Sequence, residues 1–447
     1  MATKFFAPKI SPPAAQVIDF GTGKTPQPYD DFLNAAFADL EIWWAEVLPQ
    51  VYGIPFEPVS AIYALYPERE GIPVCGDTLT YDLVEGNAFY LGCADLIAYD
   101  DTFLLPDLAT NLGNAAVAVV AAHEYGHAVQ NRAGIFDLDL PVVDTEQQAD
   151  CMAGAWTARM ARGESDFLTF GDQDVKGGII AMIEVRDPPG LAPVTEGNGH
   201  GTAFDRVGAF QEGFLNGPQR CADFLTNPNP RIDLTFMTQE EIDTGGNLPI
   251  EEIIDALPLS LDTFWQPTLS ASGVPFTPPA LAGFPNAGPY PECDGLTGDQ
   301  LQNTARFCAS TNTIVYDSDF VIDLYNRLGD VSLSYPIANA YSDAVQAALG
   351  SGLGGEPRVL LNDCLVGAWL VDIIPTMTPS QPGAIEPTNP AQQIVLSAGD
   401  LDEVVITAVI LGDEAMTTDV VGTAFEKIDA FRTGVLEGLG GCQSRLG

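Results

Sequence analysis

The 447-residue sequence is poor in basic residues and in histidine. It has 18 Lys and Arg against 61 Asp and Glu, a formal net charge of −43 at pH 7, and only three His. Because phosphate groups are bound by clustered Lys and Arg, this composition excludes nucleic acid as a natural partner. The acidity favours solubility in saline surroundings but identifies no ligand.

The sequence also lacks an apolar run of the ~18 to 20 residues that a membrane helix needs. Its longest candidate, Ala115 to Ala122, ends at a histidine. We therefore expect no membrane span. The first residues contain prolines where a signal peptide has an apolar core, and we expect a cleaved leader to be absent from this chain.

None of the eight cysteines forms a Cys-x-x-Cys pair, which argues against a thiolate zinc site or a redox motif. We interpret them as disulfides, which predicts an oxidising compartment and a secreted or extracytoplasmic location. The alternative is a cytosolic protein with eight buried free thiols. The eight are Cys75, Cys93, Cys151, Cys221, Cys293, Cys308, Cys364 and Cys442.

The two halves of the sequence resemble each other. HEYGHAVQ at 123–130 corresponds to NAYSDAVQ at 339–346, and ADCMAGAW at 149–156 corresponds to NDCLVGAW at 362–369. GTAFDRVGAFQEGF at 201–214 corresponds to GTAFEKIDAFRTGV at 422–435, and blocks that start at 39 and 96 match blocks at 260 and 313. The five blocks keep one order at offsets between 213 and 221, which indicates a tandem duplication.

The repeat predicts the domain organisation. We expect an N-terminal arm at 1–27, a first copy at 28–227, a linker at 228–249, and a second copy at 250–447 that packs on the first. Each copy has four cysteines in matching order. This symmetry, rather than the sequence spacing itself, predicts the pairs Cys75 with Cys93, Cys151 with Cys221, Cys293 with Cys308, and Cys364 with Cys442.

Periodicity predicts an α+β fold. The Ala- and Val-rich stretch from Asn114 to Arg132 is typical of a buried helix that ends at Gly134. Further helices are predicted from Thr145 to Ala161 and from Thr202 to Leu215, and a strand is predicted from Asp95 to Tyr99.

Two of the three histidines form the string His123-Glu124-Tyr125-Gly126-His127. Residues four apart on a helix share one face, so both imidazoles can reach one zinc ion (Zn2+) while Glu124 flanks the open coordination position. The alternative is a buried helix with two incidental histidines.

A hydrolytic zinc site needs a third protein ligand and keeps its fourth position open. Glu146 is the candidate, at the start of the next predicted helix. Asp150, one turn later, could accept a hydrogen bond from a ligand imidazole and fix its tautomer. The alternative for both is an ordinary solvated acidic helix start.

His200 is the remaining histidine. Opposite the metal, it could donate a hydrogen bond to the oxyanion that develops during acyl transfer, a role that Tyr99 or Tyr125 could share. The alternative is a loop histidine without a function.

HEYGHAVQ, EQQADCMAGAW and HGTAFDRVGAFQEGF, in this order, resemble the neutral zinc metallopeptidase family of bacteria. The resemblance covers most of the first copy. It implies a zincin fold, His123, His127 and Glu146 as zinc ligands, and Glu124 as the catalytic carboxylate. The strong acidity and the second copy depart from the family pattern.

The second copy lacks every one of these residues. It has Asn339, Ala340, Asp343, Val359 and Val421 where the first copy has His123, Glu124, His127, Glu146 and His200. The surrounding Tyr, Val-Gln, Cys and Gly-Ala-Trp positions persist, which is the pattern of an inactive copy.

The sequence therefore predicts a secreted zinc peptidase with one zinc ion per chain, all of it in the first copy, and a peptide or protein as substrate. The predicted strand at Asp95 to Tyr99 could pair with an extended substrate through its main chain. Two other functions stay open: a non-enzymatic secreted or surface binding protein with a structural or vestigial zinc, and a zinc hydrolase of another substrate class. The oligomeric state is not predicted.

Overall fold

A computed structural model of the chain divides into two compact units. The first contains residues 16–187 and 199–231, and the second contains 188–190 and the described residues from 232 onward. The change from one unit to the other at residue 231 falls inside the predicted linker. The structure describes residues 16–190, 199–232, 234–236, 238–377, 385–387, 389, 391–392, 394–412 and 423–444.

The first unit combines a small sheet with a layer of helices. Its strands are β1 Ala61–Leu65, β2 Ile72–Val74, β3 Asp77–Leu79, β4 Ala88–Leu91 and β5 Leu96–Asp100. Its helices are α1 Asp30–Val51, α2 Leu104–Leu112, α3 Asn114–Arg132, α4 Val142–Ala161, α5 Asp172–Glu184, α6 Ala203–Asn216 and α7 Pro218–Asp223.

The main sheet of the first unit has the order β1-β5-β4. Strand β1 runs parallel to β5, with Ala61 opposite Leu96, and β4 runs antiparallel to it, with Ala88 opposite Tyr99. All five residues of β5 are buried. The expectation that the strand at Asp95 to Tyr99 pairs with a substrate is therefore wrong, because both of its edges already carry a partner strand. Strand β4 is an edge strand of this sheet.

Helices α3, α4 and α6 form the core beside this sheet. Helix α3 begins and ends where the sequence predicts, and the Ala and Val side chains before His123 are buried. Helix α4 begins three residues earlier than predicted, directly after Pro141, whose fixed φ suits the entry to a helix. Thr202 caps α6, since its side chain accepts a hydrogen bond from Asp205 N.

Helices α4 and α6 pack with their backbones in contact. A Cβ added at Gly154 would lie 1.9 Å from Phe210 O, and one added at Gly213 would lie 1.8 Å from Cys151 O. Real Cβ atoms never approach so closely, so only glycine permits this helix pair. The close packing fixes the position of α4, which carries Glu146 and Asp150.

The second unit contains the same kinds of element in a similar order. Its sheet has the order β6-β8-β7, with β6 parallel to β8 and β7 antiparallel to it. Its strands are β6 Ala280–Phe284, β7 Ala305–Cys308, β8 Thr313–Asp317, β9 Pro375–Met377 and β10 Ile385–Pro387. Its helices are α8 Gln239–Thr244, α9 Ile250–Ala271, α10 Gly298–Leu301, α11 Ser318–Leu328, α12 Asp330–Leu349, α13 Glu356–Leu370, α14 Asp400–Leu411 and α15 Ala424–Gln443.

All eight cysteines form disulfides in the structure, each within one unit. The pairs are those that the repeat symmetry predicts: Cys75–Cys93, Cys151–Cys221, Cys293–Cys308 and Cys364–Cys442. Such crosslinks stabilise a fold mainly by restricting the unfolded chain. Across the described part of the chain, no helix has the length and apolar character needed to cross a bilayer.

Candidate metal centre

The side chains of the two histidines on α3 converge on one point. His123 and His127 lie one turn apart on α3, and their Nε2 atoms are 3.1 Å from each other. Glu146, in the second turn of α4, faces the same point: its Oε2 is 3.2 Å from His123 Nε2 and its Oε1 is 3.4 Å from His127 Nε2. Packing of α4 on α3 thus brings together the three residues that the spacing singled out, as a group able to hold a metal ion.

The three separations suit a zinc ion. Zinc–ligand bonds of about 2.0–2.2 Å at tetrahedral angles place neighbouring ligand atoms about 3.3–3.6 Å apart. The observed separations of 3.1 to 3.4 Å fall close to this range. Glu146 Oε2 is also buried without a hydrogen-bond partner, although His123 Nε2 lies within ion-pair distance of it. A cation between the three side chains would satisfy that oxygen.

Asp150 orients the first imidazole. Its Oδ1 lies 2.7 Å from His123 Nδ1, and because a carboxylate only accepts, Nδ1 carries the proton and donates. The lone pair of Nε2 is then free to face a metal, the arrangement that fixes a ligand histidine in its tautomer. Asp150 has no exposed surface, and it accepts two further hydrogen bonds from Arg206 Nε and Nη2, at 2.9 and 2.8 Å.

Gln130 orients the second imidazole. Its Nε2 donates to Thr145 O and to Gln148 Oε1, which fixes the orientation of the amide. Gln130 Oε1 therefore accepts the hydrogen bond from His127 Nδ1, at 2.8 Å. Each imidazole thus presents Nε2 to the same point.

Sequence reasoning missed Gln130 and Arg206 as orienting residues. Both stand in blocks that the repeat comparison singled out, and this was the signal that the sequence offered for them. Neither could be paired with its partner from sequence alone, because Arg206 is 56 residues from Asp150.

The electrostatics of the centre favour a positive charge. Burial would lower the pKa of His123, but the neighbouring Asp150 and Glu146 carboxylates outweigh it and raise the pKa to about 10. For Glu146, burial acts in the opposite direction, yet the two imidazoles hold the pKa of this carboxyl well below its usual range. A divalent cation would supply the positive charge that these carboxylates stabilise.

Glu124 lies beside this group on α3. Its side chain is 7% exposed, and its Oε2 accepts a hydrogen bond from the backbone N–H of Tyr90 on the edge strand β4, at 2.8 Å. Burial raises the pKa of Glu124, while the nearby imidazoles act against that rise. A carboxylate whose pKa is moved toward neutrality is a better proton acceptor at neutral pH.

His200 lies outside the group of ligand atoms. Its side chain is 46% exposed, and its Nδ1 lies 3.5 Å from Asp187 Oδ1. The adjacent Gly201 packs near Val143, at the start of α4. Tyr99 and Tyr125, which the sequence offered as partners in the same role, are buried in the core of the first unit, where their hydroxyls do not face solvent.

The centre lies in the part of the chain that matches known proteins. Residues 10–224 match the family model described as "Putative neutral zinc metallopeptidase". That description names a zinc-dependent hydrolase of peptides, and the matched range includes His123, His127 and Glu146.

Relatives of the chain are found in mycobacteria. Over 155 residues the chain is 32% identical to an uncharacterised protein of Mycobacterium tuberculosis and to one of Mycobacterium bovis. Each alignment covers 29% of this chain and 53% of the relative, so the chain spans about half the length of the curated relatives it matches. No solved structure matches the chain.

Proposed function

We propose that the protein is a zinc-dependent peptidase whose active site is the His123, His127 and Glu146 centre. The observation that supports this most strongly is the triangle of three ligand atoms with the buried carboxylate of Glu124 beside it. A purely structural zinc site has four protein ligands and needs no neighbouring base. Among the described residues, the group contains three.

A zinc ion held there would polarise the scissile carbonyl and make the attacking water more acidic. Glu124 accepts the proton of that water and returns it to the leaving amine. Asp150 and Gln130 hold the two imidazoles in the tautomer that presents Nε2. The N–H of Tyr90 positions the Glu124 carboxylate, so the base is tied to the edge of the sheet.

Strand β4 is the sheet edge that contacts the proposed base. It is an edge strand, and its Tyr90 is hydrogen-bonded to the proposed base. Main-chain pairing with such an edge binds peptides with little regard to sequence. We propose that the substrate is a peptide or protein segment that pairs with β4, and that the exposed His200 donates to the developing oxyanion.

We further propose that the second unit is an inactive duplicate of the first. The two sheets share one pattern of parallel and antiparallel pairing. Gly367 and Gly434 meet backbone atoms of Phe431 and Cys364, as Gly154 and Gly213 meet those of Phe210 and Cys151. Of the positions that replace the centre, Val421 lies outside the described residues.

The four disulfides support an extracytoplasmic location, because thiols stay reduced in most cytosols. We therefore propose that the peptidase acts outside the cytoplasm. Zinc, at one ion per chain, is its proposed cofactor.

The direct test is Glu124→Gln. The amide keeps the size of the side chain but cannot accept the proton of water, so peptide hydrolysis should fall by about 10² to 10⁴ while zinc content stays at one per chain. Glu46→Gln, at an exposed position on α1, is the matched control and should retain full activity.

Two results would count against the proposal. Wild-type turnover in Glu124→Gln would place the base elsewhere. A zinc-loaded wild type that cleaves nothing in a broad peptide library would favour the non-enzymatic binding protein instead.

A further inference from the structure

The second unit contains a cluster of three buried carboxylates at a place unrelated to the zinc centre. One oxygen from each of Asp330, Asp400 and Glu403 lies within 4.8 Å of the others. Asp330 and Asp400 are each 4% exposed, and Glu403 is 7% exposed. Among the described residues, no Lys, Arg or His forms an ion pair with any of the three.

Each carboxylate is anchored by only part of its hydrogen-bonding capacity. Asp330 Oδ2 accepts from Leu248 N, Asp400 Oδ2 accepts from Ser397 N, and Glu403 Oε2 accepts from Val331 N. These bonds fix the side chains in place. The second oxygen of each carboxylate takes no part in these bonds.

Two of the remaining oxygens have no partner at all. Asp330 Oδ1 and Asp400 Oδ1 are buried and accept no hydrogen bond. A buried acceptor without a partner destabilises the folded state, and more strongly when it is charged. Both oxygens belong to carboxyl groups of the cluster, so a cation bound between them would satisfy both at once.

Asn247 Oδ1 lies at the start of α12, where it accepts a hydrogen bond from Asp330 N at 2.7 Å. A Cβ at Gly329 would lie 1.8 Å from Glu403 Oε1 and 2.4 Å from Asn247 Oδ1. The missing side chain at Gly329, where φ is +130°, is what lets both oxygens reach the N-terminus of α12.

Within the described residues of the first unit, this cluster has no counterpart. Helix α3 begins with Asn114 after Gly113, where α12 begins with Asp330 after Gly329. Helix α5 begins with the exposed Asp172 and buries Val175 three residues later, where α14 begins with Asp400 and buries Glu403. Two of the three acids are therefore specific to the second unit.

We propose that the second unit binds a divalent cation, calcium, between Asp330, Asp400 and Glu403. Hard cations prefer carboxylate and carbonyl oxygens, whereas zinc in proteins usually takes imidazole or thiolate. Calcium–oxygen bonds of about 2.3–2.6 Å allow two ligand oxygens to lie up to about 4.6–5.2 Å apart. The three carboxylate oxygens all lie within 4.8 Å of one another, so one ion can reach all of them. The ion joins the starts of α12 and α14.

Calcium binding should stabilise the folded protein. Zinc-loaded full-length protein in calcium-free buffer, titrated with calcium chloride, should bind one calcium by calorimetry. Its Tm should rise by about 5 to 10 °C when free calcium reaches about 100 times Kd. The stoichiometry should be unchanged in His127→Ala, because that histidine belongs to the other centre.

Asp400→Asn is the decisive variant, and Asp172→Asn is its matched control at the corresponding helix start of the first unit. Asp400→Asn should abolish the calcium-dependent rise in Tm, and Asp172→Asn should keep it. If Asp400→Asn folds poorly, Glu403→Gln and terbium luminescence, excited through Tyr325, report on the same site; Tyr325 donates to Leu248 O beside it.

Absence of calcium binding by the wild type would overturn the proposal, and the carboxylates would then share protons. Equal calcium binding by wild type and Asp400→Asn would also overturn it. If Asp400→Asn loses stability whether or not calcium is present, and calcium has no effect on the wild type, the cluster stabilises the fold without binding an ion.

Discussion

At corresponding places in the two units, a buried aspartate organises different neighbours. In the first unit Asp150 accepts hydrogen bonds from His123 and Arg206. In the second unit Asp363 accepts from the Tyr335 hydroxyl and forms a 2.8 Å ion pair with Lys427. Tyr335 lies one turn before Asn339, the residue that replaces His123. Both units thus have a buried aspartate paired with a cation, and in the second unit the hydroxyl of Tyr335 takes the place of the imidazole as the other partner of that aspartate.

The residues around His127, and those around Asp343 in the second unit, show the same contrast. Gln130 and Gln346 both donate from Nε2 to a backbone oxygen at the start of the next helix, Thr145 O and Arg358 O. In the second unit Asp343 stands where His127 would be, and it pairs with Arg358 instead of a metal. The hydrogen bonds around the centre thus recur in a unit that lacks the three ligand residues. If the second unit is a duplicate of the first, as we propose, these bonds explain how it could lose zinc and keep its fold.

The largest difference in zinc binding and activity is expected between alanine variants of His127 and of Asp343. His127→Ala removes one of three ligands, so zinc affinity should fall by more than about 100-fold and peptide hydrolysis should be lost. Asp343→Ala should leave zinc content and activity unchanged. Metal analysis of both purified variants checks this, and zinc retained at one per chain in His127→Ala would contradict the assignment.

A second variant makes the first unit resemble the second at one position. His200→Val introduces the residue that the second copy has there. If His200 donates to the oxyanion, kcat should fall by about 10² to 10³ with little change in KM or zinc content. Steady-state kinetics test this. Unchanged kcat, or loss of zinc, would show that His200 has another role.

Variants of Asp150 and Asp363 distinguish two roles of a buried aspartate: orienting a zinc ligand and stabilising the fold. Asp150→Asn should weaken zinc binding by about 10- to 100-fold, because His123 loses its charged partner. Asp363→Asn should leave zinc binding alone. Each change leaves a buried cation, Arg206 or Lys427, without its carboxylate partner. Both variants should therefore lower the free energy of unfolding by about 3–5 kcal/mol. Denaturant titration and zinc competition measure the two effects; an equal loss of zinc affinity in both variants would refute the distinction.

The smallest effect is expected at the glutamines. Gln130→Met keeps the length of the side chain but removes the hydrogen bond to His127 Nδ1, and zinc affinity should fall by about tenfold. Gln346→Met should not change it. Competition with a zinc-binding dye resolves a tenfold difference, and identical affinities would show that His127 needs no such partner.

Much of the candidate site could be predicted from local spacing. The i, i+4 histidines had to share a face once α3 was a helix, and Glu146 and Asp150 had to share a face of α4. The disulfide partners followed from matching the two copies. These predictions needed only helical periodicity and the repeat.

The remaining features depend on contacts between elements distant in sequence. The central position of β5, the placement of His200 beside Asp187 and the pairing of Arg206 with Asp150 are set by tertiary packing. The cluster of Asp330, Asp400 and Glu403 is another case, because its members are separated by up to 73 residues and look like ordinary acids in so acidic a chain. Hydrophobic periodicity carries no information about such tertiary contacts.

The glycines that bring α4 against α6, and α13 against α15, have a consequence for how the two units tolerate mutation. Any side chain at Gly154 or Gly213 would push two backbones apart, and the same holds at Gly367 and Gly434. In a saturation-mutagenesis screen for folded protein, these four positions should reject nearly all substitutions equally in both units. If the second unit is inactive, as we propose, selection for folding alone would still keep its helix pair intact, and the unit would retain the architecture of a peptidase without the activity.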